Sequence, residues 1–236
     1  MKGLEMKMIV FLLGCLAMTA CVDYDDIQPF NGKTLPRKSG YSTGVTNDWI
    51  YFNLRTGEMF NAYGVNKDIK EGEQYDRTDW DLAFCGYVLR TNSGTSGIGR
   101  GGAADLGYGE YNKWTSVSQL PSDLEWVVDN GEVSVTMSQN DWNHYLVENG
   151  LDFDSNPWFD PNNGPQRTNT NANPLLAEAM TFAGPPPVYT PSFHTYVVRT
   201  ADGQRYFKLQ IISWYDANVE IGDEGGRISY YCDELK

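Results

Sequence analysis

The sequence predicts an all-β fold, antiparallel and rich in hairpins, with one or two short helices. Three observations predict it: the apolar and aromatic runs are short, Trp, Tyr, Val, Ile and Thr dominate them, and turn residues separate them. In order, the runs are "WIYFNLRTGEMF", "WDLAFCGYVLRTNSG", "LEWVVDNGEVSVTM", "HTYVVRTADGQRYFKLQIISWY" and "GGRISYYC". The breaks "RTGE", "DNGE" and "ADGQ" are expected to be hairpin turns, because Asn-Gly and Asp-Gly reach the positive φ that tight turns demand.

Helical pattern is scarce. The best candidate is 173–183, "NPLLAEAMTFA", where Asn173 can cap, Pro174 sits at the first helical position, and Leu, Ala, Glu and Met favour helix. A second short helix is expected over 140–150, capped by Asn140 or Asp141 and stopped by Gly150. Between them "DFDSNPWFDPNNGPQRTNTNANP" reads as a long polar loop that also holds Trp158 and Phe159, a kind of segment that more often serves binding than scaffolding.

The N-terminus reads as a secretory signal over 1–20: after "MKGLEMK" comes the apolar run "MIVFLLGCLAMTA", too short to span a membrane. Cys15 in "LLGC" and Cys21 in "MTAC" both suit a lipoprotein box, and Cys21 gives the apolar core its proper length. The acidic "VDYDD" after Cys21 resembles the surface-export signal of lipoproteins in the Bacteroides group. An acylated Cys21 with a flexible tether over 21–46, followed by a β domain over 47–236, is therefore expected, at the outer membrane and exposed on the cell surface. Two cysteines remain in the folded body, Cys85 and Cys232; exported cysteines can pair strand to strand, and two buried thiols is the other arrangement.

The net charge of −13 repels phosphate backbones and argues against a nucleic-acid partner. Gly97, Gly99 and Gly102 stand in the spacing of a dinucleotide fingerprint, but that site needs a following helix and a βαβ context. Here "AADLGYGEYNKW" follows, so the stretch is expected to be a glycine-rich connection between strands. No GxSxG, HExxH, CxxC or P-loop is present, and Asp152, Asp154 and Asp160 lie in a loop without a partner that would raise a carboxyl pKa, so a hydrolase is not expected. Alternating oxygens in "DFDSN" suit a calcium ion, although the rest of an EF-hand pattern is missing.

Three separated motifs occur in an order that resembles the HmuY-type haem-binding lipoproteins of the Bacteroides group. They are the opening strand "WIYFNLRTGE", the segment "DRTDWDLAFCGYVLRTNSGTSGIGRGGA" over 76–103, and "PPPVYTPSFHTYVVRTADGQRYFKLQIISWY" over 185–215. The resemblance covers most of 48–216 and implies an all-β body with finger-like extensions that grip haem (iron protoporphyrin IX) through two axial side chains. It further implies capture of haem, transfer to a TonB-dependent outer-membrane receptor, and no catalysis.

Axial donors are restricted to Met, His, Cys and occasionally Tyr. Of the two histidines, His194 opens a strand where the resemblance implies no ligand, and His144 in the short helix is an alternative ligand. Met137, at a strand end in "VSVTMSQND", and Met180, before the "PPPVYTPS" turn, occupy the places where the fingers would present ligands. The resemblance also implies a Met directly before the paired prolines, and Pro185 takes that place here. Trp142, Tyr145, Trp158, Phe159, Phe182 and Tyr189 are the candidates for the apolar walls of a haem pocket. Arg167, the one basic side chain between Lys113 and Arg199, is the candidate partner for a propionate. The competing reading is a glycan-binding or adhesive surface β-sandwich without haem, because exposed tryptophans stack on sugars.

Overall fold

A computed structural model describes residues 30–37, 49–183, 188–215 and 227–236, and the backbone alone for 182 and 183. The signal over 1–20, Cys15, Cys21 and Pro185 lie outside the described residues.

Two antiparallel sheets form the body. The first is four-stranded, in the order β3-β2-β4-β5, from β2 (Ile50–Asn53), β3 (Glu58–Phe60), β4 (Leu82–Cys85) and β5 (Val88–Thr91). The second is five-stranded, in the order β1-β15-β14-β13-β6, from β1 (Lys33–Thr34), β6 (Gly102–Tyr108), β13 (His194–Arg199), β14 (Tyr206–Ser213) and β15 (Ser229–Glu234). Side chains alternate faces along a strand, and this sequence uses both faces of the first sheet. Ile50, Leu82, Phe84 and Leu89 share a buried cluster with Tyr196, Val198, Leu209, Ile211 and Cys232 of the second sheet. Their neighbours Tyr51, Ala83, Cys85 and Val88 face the opposite way, into a second cluster with Trp49, Trp80, Val133, Val135 and Ala172. All four residues of both β4 and β5 are consequently buried, which accounts for the near-continuous apolar run of "WDLAFCGYVL".

Val133, Val135 and Ala172 belong to a separate two-stranded ribbon, the finger, in which β7 (Asn130–Thr136) pairs with β10 (Arg167–Ala172). Beyond β7 the chain forms the α-helix α1 (Gln139–Glu148) and the small pair β8 (Phe159–Asp160) and β9 (Gly164–Pro165). A last hairpin joins β11 (Met180–Ala183) to β12 (Val188–Pro191).

The hairpins at "RTGE" and "ADGQ" form as expected, joining β2 to β3 and β13 to β14. Four expectations are corrected. "DNGE" is no hairpin: Asn130 opens β7, whose partner is β10, while Val127 bridges to Ala103 of the second sheet. The helix expected over 173–183 is limited to a single 3-10 turn, Leu176–Ala179. Asn173 Oδ1 does accept from the Leu176 amide (3.2 Å), but from Met180 onward pairing with β12 overrides local helix preference. The second helix exists, but its cap is Ser138, whose hydroxyl accepts from the Asp141 amide at 3.0 Å. The segment read as tether contributes β1, which pairs with Tyr230 and Ser229, and Leu35 behind it is buried in the core.

The polar loop likewise contains a strand: "RTNTNA" of β10 carries little apolar signal, yet alternating Thr and Asn suit a half-exposed ribbon edge. Cys85 and Cys232 are buried thiols in separate clusters on opposite faces of the first sheet, not bonded to each other. No helix among the described residues is long and apolar enough to cross a membrane.

Candidate functional site

The glycine stretch is scaffold. A Cβ at Gly99 would lie 2.6 Å from the carbonyl oxygen of Asn92 and 2.8 Å from its Oδ1, and one at Gly101 2.6 Å from that same carbonyl. Asn92 is itself fixed, donating to the carbonyls of Arg77 (2.8 Å) and Trp80 (2.9 Å) while its Oδ1 accepts from the Gly99 amide (2.9 Å). The glycines thus wrap an asparagine rather than a phosphate.

The expected haem-site residues fall into two groups. The first is on the finger. Met137, half-buried at the end of β7, donates its amide to the Gln166 carbonyl (2.9 Å) and accepts on its own carbonyl from Trp158 Nε1 (2.8 Å). With both backbone groups committed, the thioether is the remaining donor atom of that residue. One turn into α1, Trp142 stacks on Tyr145 with ring centroids 5.1 Å apart and planes 16° from parallel, and its Nε1 donates to the Asn156 carbonyl (2.8 Å). Phe159 tilts against Trp158 at 6.4 Å. Tyr145 and Phe159 are exposed, as is His144 on the same helix.

The second group surrounds the β11–β12 hairpin. Met180 is 4 % exposed in the cluster between the two sheets, and Phe182 pairs in register with Tyr189. Tyr189 stacks on Trp214 at 4.1 Å and 14°, and Tyr87 meets both, at 5.8 and 6.0 Å. Burial, followed by the neighbouring phenols of Tyr87 and Tyr215, pushes the Tyr189 phenol up. Tyr87 and Trp214 were not among the expected pocket residues. They stand in the β4–β5 turn and after β14, so only the packing of β12 between them makes the aromatic trio visible.

Arg167, the expected propionate partner, is tied within the ribbon: Nε donates to Ser134 Oγ and Nη2 to the Ser134 carbonyl, both at 2.8 Å. The acidic loop residues close local turns. Asp152 accepts from the hydroxyl and amide of Ser155 (both 2.8 Å), and Asp160 from the amide of Asn162 (2.8 Å) and Asn163 Nδ2 (2.6 Å). These bonds hold both carboxyls below their usual range. Among the described residues no three or more His, Cys, Asp or Glu gather as a metal-binding group, and "DFDSN" forms a turn closed by Asp152 and Ser155.

Two sheets sharing a core, a two-stranded ribbon packed on one of them and a second hairpin define an architecture to set beside known proteins. The HmuY protein family matches residues 45–232. This chain belongs to the HmuY family. Apo PinO from Porphyromonas gingivitis superposes with a TM-score of 0.52 at 16 % identity, over 88 % of this chain and 98 % of that one. The apo HmuY analog (TFO) of Tannerella forsythia does so with a TM-score of 0.48 at 18 % identity, over 90 % of this chain and 100 % of that one. A Bacteroides vulgatus structure named as HmuY-like and haem-binding gives a TM-score of 0.45 at 17 % identity, over 80 % of this chain and 85 % of that one. No curated protein matches the sequence. Membership of the HmuY family agrees with the all-β architecture.

Proposed function

We propose that this HmuY-family protein is a haem-capturing lipoprotein of the cell surface, anchored through Cys21, that passes its haem to a TonB-dependent receptor in the outer membrane and catalyses no reaction. The observation that carries the reading is Met137. It stands where the finger ribbon ends, its backbone polar groups are both satisfied, the Trp158 indole donates to its carbonyl, and the stacked pair Trp142 and Tyr145 follows in the next helix. A soft thioether on a segment that also carries aromatic rings suits ferrous or ferric haem, which needs an axial donor and flat apolar walls.

Met180 is the proposed second ligand, and the rings of Tyr189, Trp214 and Tyr87 beside its hairpin are proposed walls. Because Met180 is covered in the core, ligation through it requires the β11–β12 hairpin to lift. When bound, the iron supplies reversible coordination; the protein's own residues supply the donors and exclude water.

The test is a haemin titration of the purified chain under oxidising and reducing conditions, repeated for Met137→Ala and Met180→Ala. A saturable Soret shift weakened at least tenfold by either substitution supports the reading. A flat titration in both redox states sinks it and leaves the fold standing.

A further inference from the structure

His194 opens β13, and its Nδ1 lies 2.8 Å from Asp105 Oδ2 on β6. The register explains how the two meet. His194 pairs with Tyr108 and Thr195 with Gly107, after which a bulge shifts the ladder so that Tyr196 pairs with Asp105. Without that bulge Asp105 would stand opposite Val197, on the other face of the sheet; with it, Asp105 shares the face of His194 and Tyr196. Asp105 is held in place from behind, its Oδ1 accepting from the amide of Gly107 at 2.9 Å, and Gly107 adopts φ +103 as the irregular step requires.

A carboxylate accepts, so when the imidazole carries a single proton the contact with Asp105 favours that proton on Nδ1 and leaves the lone pair on Nε2. Nε2 meets no hydrogen-bond partner among the described residues. The ring is oriented further by Tyr196, stacked at 6.3 Å and 29°, and by Tyr108, edge-on at 6.1 Å. Tyr108 is 69 % exposed, and Phe193, which precedes His194 in the chain, is exposed as well. Phe193 is held at φ 55, a conformation unfavourable for an aromatic residue, by two donors on its carbonyl: Gln210 Nε2 (2.7 Å) and the Gly109 amide (2.9 Å). A histidine whose far nitrogen donates to a carboxylate is the arrangement that orients and strengthens an imidazole for iron.

The site lies next to the hairpin of Met180. Met180 pairs with Pro191, the Ser192 amide donates to the Ala179 carbonyl at 3.0 Å, and His194 follows Pro191 by three residues, about 10 Å of chain at most. The geometry points to His194 Nε2 as the first iron ligand for incoming haem, a surface docking site with Tyr108 as its aromatic flank, from which the haem passes to the covered Met180. The inference rests on the haem reading above. Nε2 would offer its lone pair to the iron in exchange for a water ligand, and that bond would break as the thioether sulfur of Met180 takes its place; neither exchange changes an oxidation state.

Stopped-flow uptake of haemin by the full chain tests it, with His194→Ala, Asp105→Leu and Asp105→Asn as variants. His194→Ala is expected to slow uptake at least tenfold while the final Soret spectrum is kept. Asp105→Leu is expected to slow it severalfold and Asp105→Asn, which retains an acceptor, to restore most of the rate. In the haem-free protein, imidazole 15N shifts should show the Nδ1–H tautomer for His194, lost in Asp105→Leu. An unchanged rate in His194→Ala overturns the inference while saturable binding keeps the haem reading. Loss of the final spectrum together with the rate also overturns the docking role, since it places His194 in the resting site. Failure of the unaltered chain to bind haemin overturns both.

Discussion

Asp129 and Thr91 are joined by three contacts: the Thr91 amide donates to the two carboxylate oxygens at 3.1 and 2.9 Å, and the Thr91 hydroxyl to Oδ1 at 2.5 Å. Asn173 Nδ2 adds a donor at 3.1 Å, and the backbone of Asp129 accepts from the Thr95 amide and donates to Ser93 Oγ, both at 3.1 Å. One buried carboxylate thus ties β5 and the start of the glycine stretch to both strands at the root of the finger.

That carboxylate gives the protein a specific pH dependence. Burial pushes Asp129 up to about 6, against the pull of its hydrogen bonds from Thr91 and Asn173. An acid whose folded value is raised binds its proton more tightly in the native state, so its contribution to stability is present at low pH and is lost as pH rises from about 4 through 6. The shift of about two units corresponds to roughly 3 kcal/mol. Urea unfolding at pH 7, 6 and 5 should show Asp129→Asn with a smaller gain on acidification than the unaltered chain; parallel curves would refute this.

The contact between Gly99 and Asn92 leaves no room for a methyl group. Gly99→Ala should destabilise the protein by roughly 2 kcal/mol or more, since the nearest atoms belong to backbone and to a side chain fixed by three hydrogen bonds. An unchanged urea midpoint for this variant would show that the stretch can give way.

Arg90 fastens the finger to the body. It is 2 % exposed, lies over the Trp49 ring at 3.7 Å, and donates to the carbonyl of Asn171 on β10 (2.6 Å) and to the hydroxyl of Tyr51 (3.2 Å). Lysine cannot reproduce this fork of donors, so Arg90→Lys should cost about 2 kcal/mol. Amide exchange in β10 should accelerate relative to β14; equal exchange in both strands would contradict the fastening role.

Cys85 and Cys232 should resist alkylation in the native protein and both react after denaturation, as read by mass spectrometry. Each is buried, and burial pushes the Cys232 thiol up to about 12, far from its reactive thiolate form. A native disulfide in the oxidised protein would contradict their placement in separate clusters.

The residues themselves determined the class of fold, two of the three expected hairpins, the short helix near residue 140 and the scaffold character of the glycine stretch, because alternation and turn chemistry are local properties. The motifs around Trp80 and Tyr189 likewise carried the family in the chain itself. Tertiary structure decided what depends on partners distant in sequence. β10 is polar and becomes a strand only because β7 lies beside it, and 180–183 gives up helix because β12 supplies its hydrogen bonds. Tyr87 and Trp214 join Tyr189 across strands far apart in the chain, and a one-residue bulge turns Asp105 toward His194. Such pairings have no local signature: each follows from register and sheet packing, which are fixed only when the whole chain is folded.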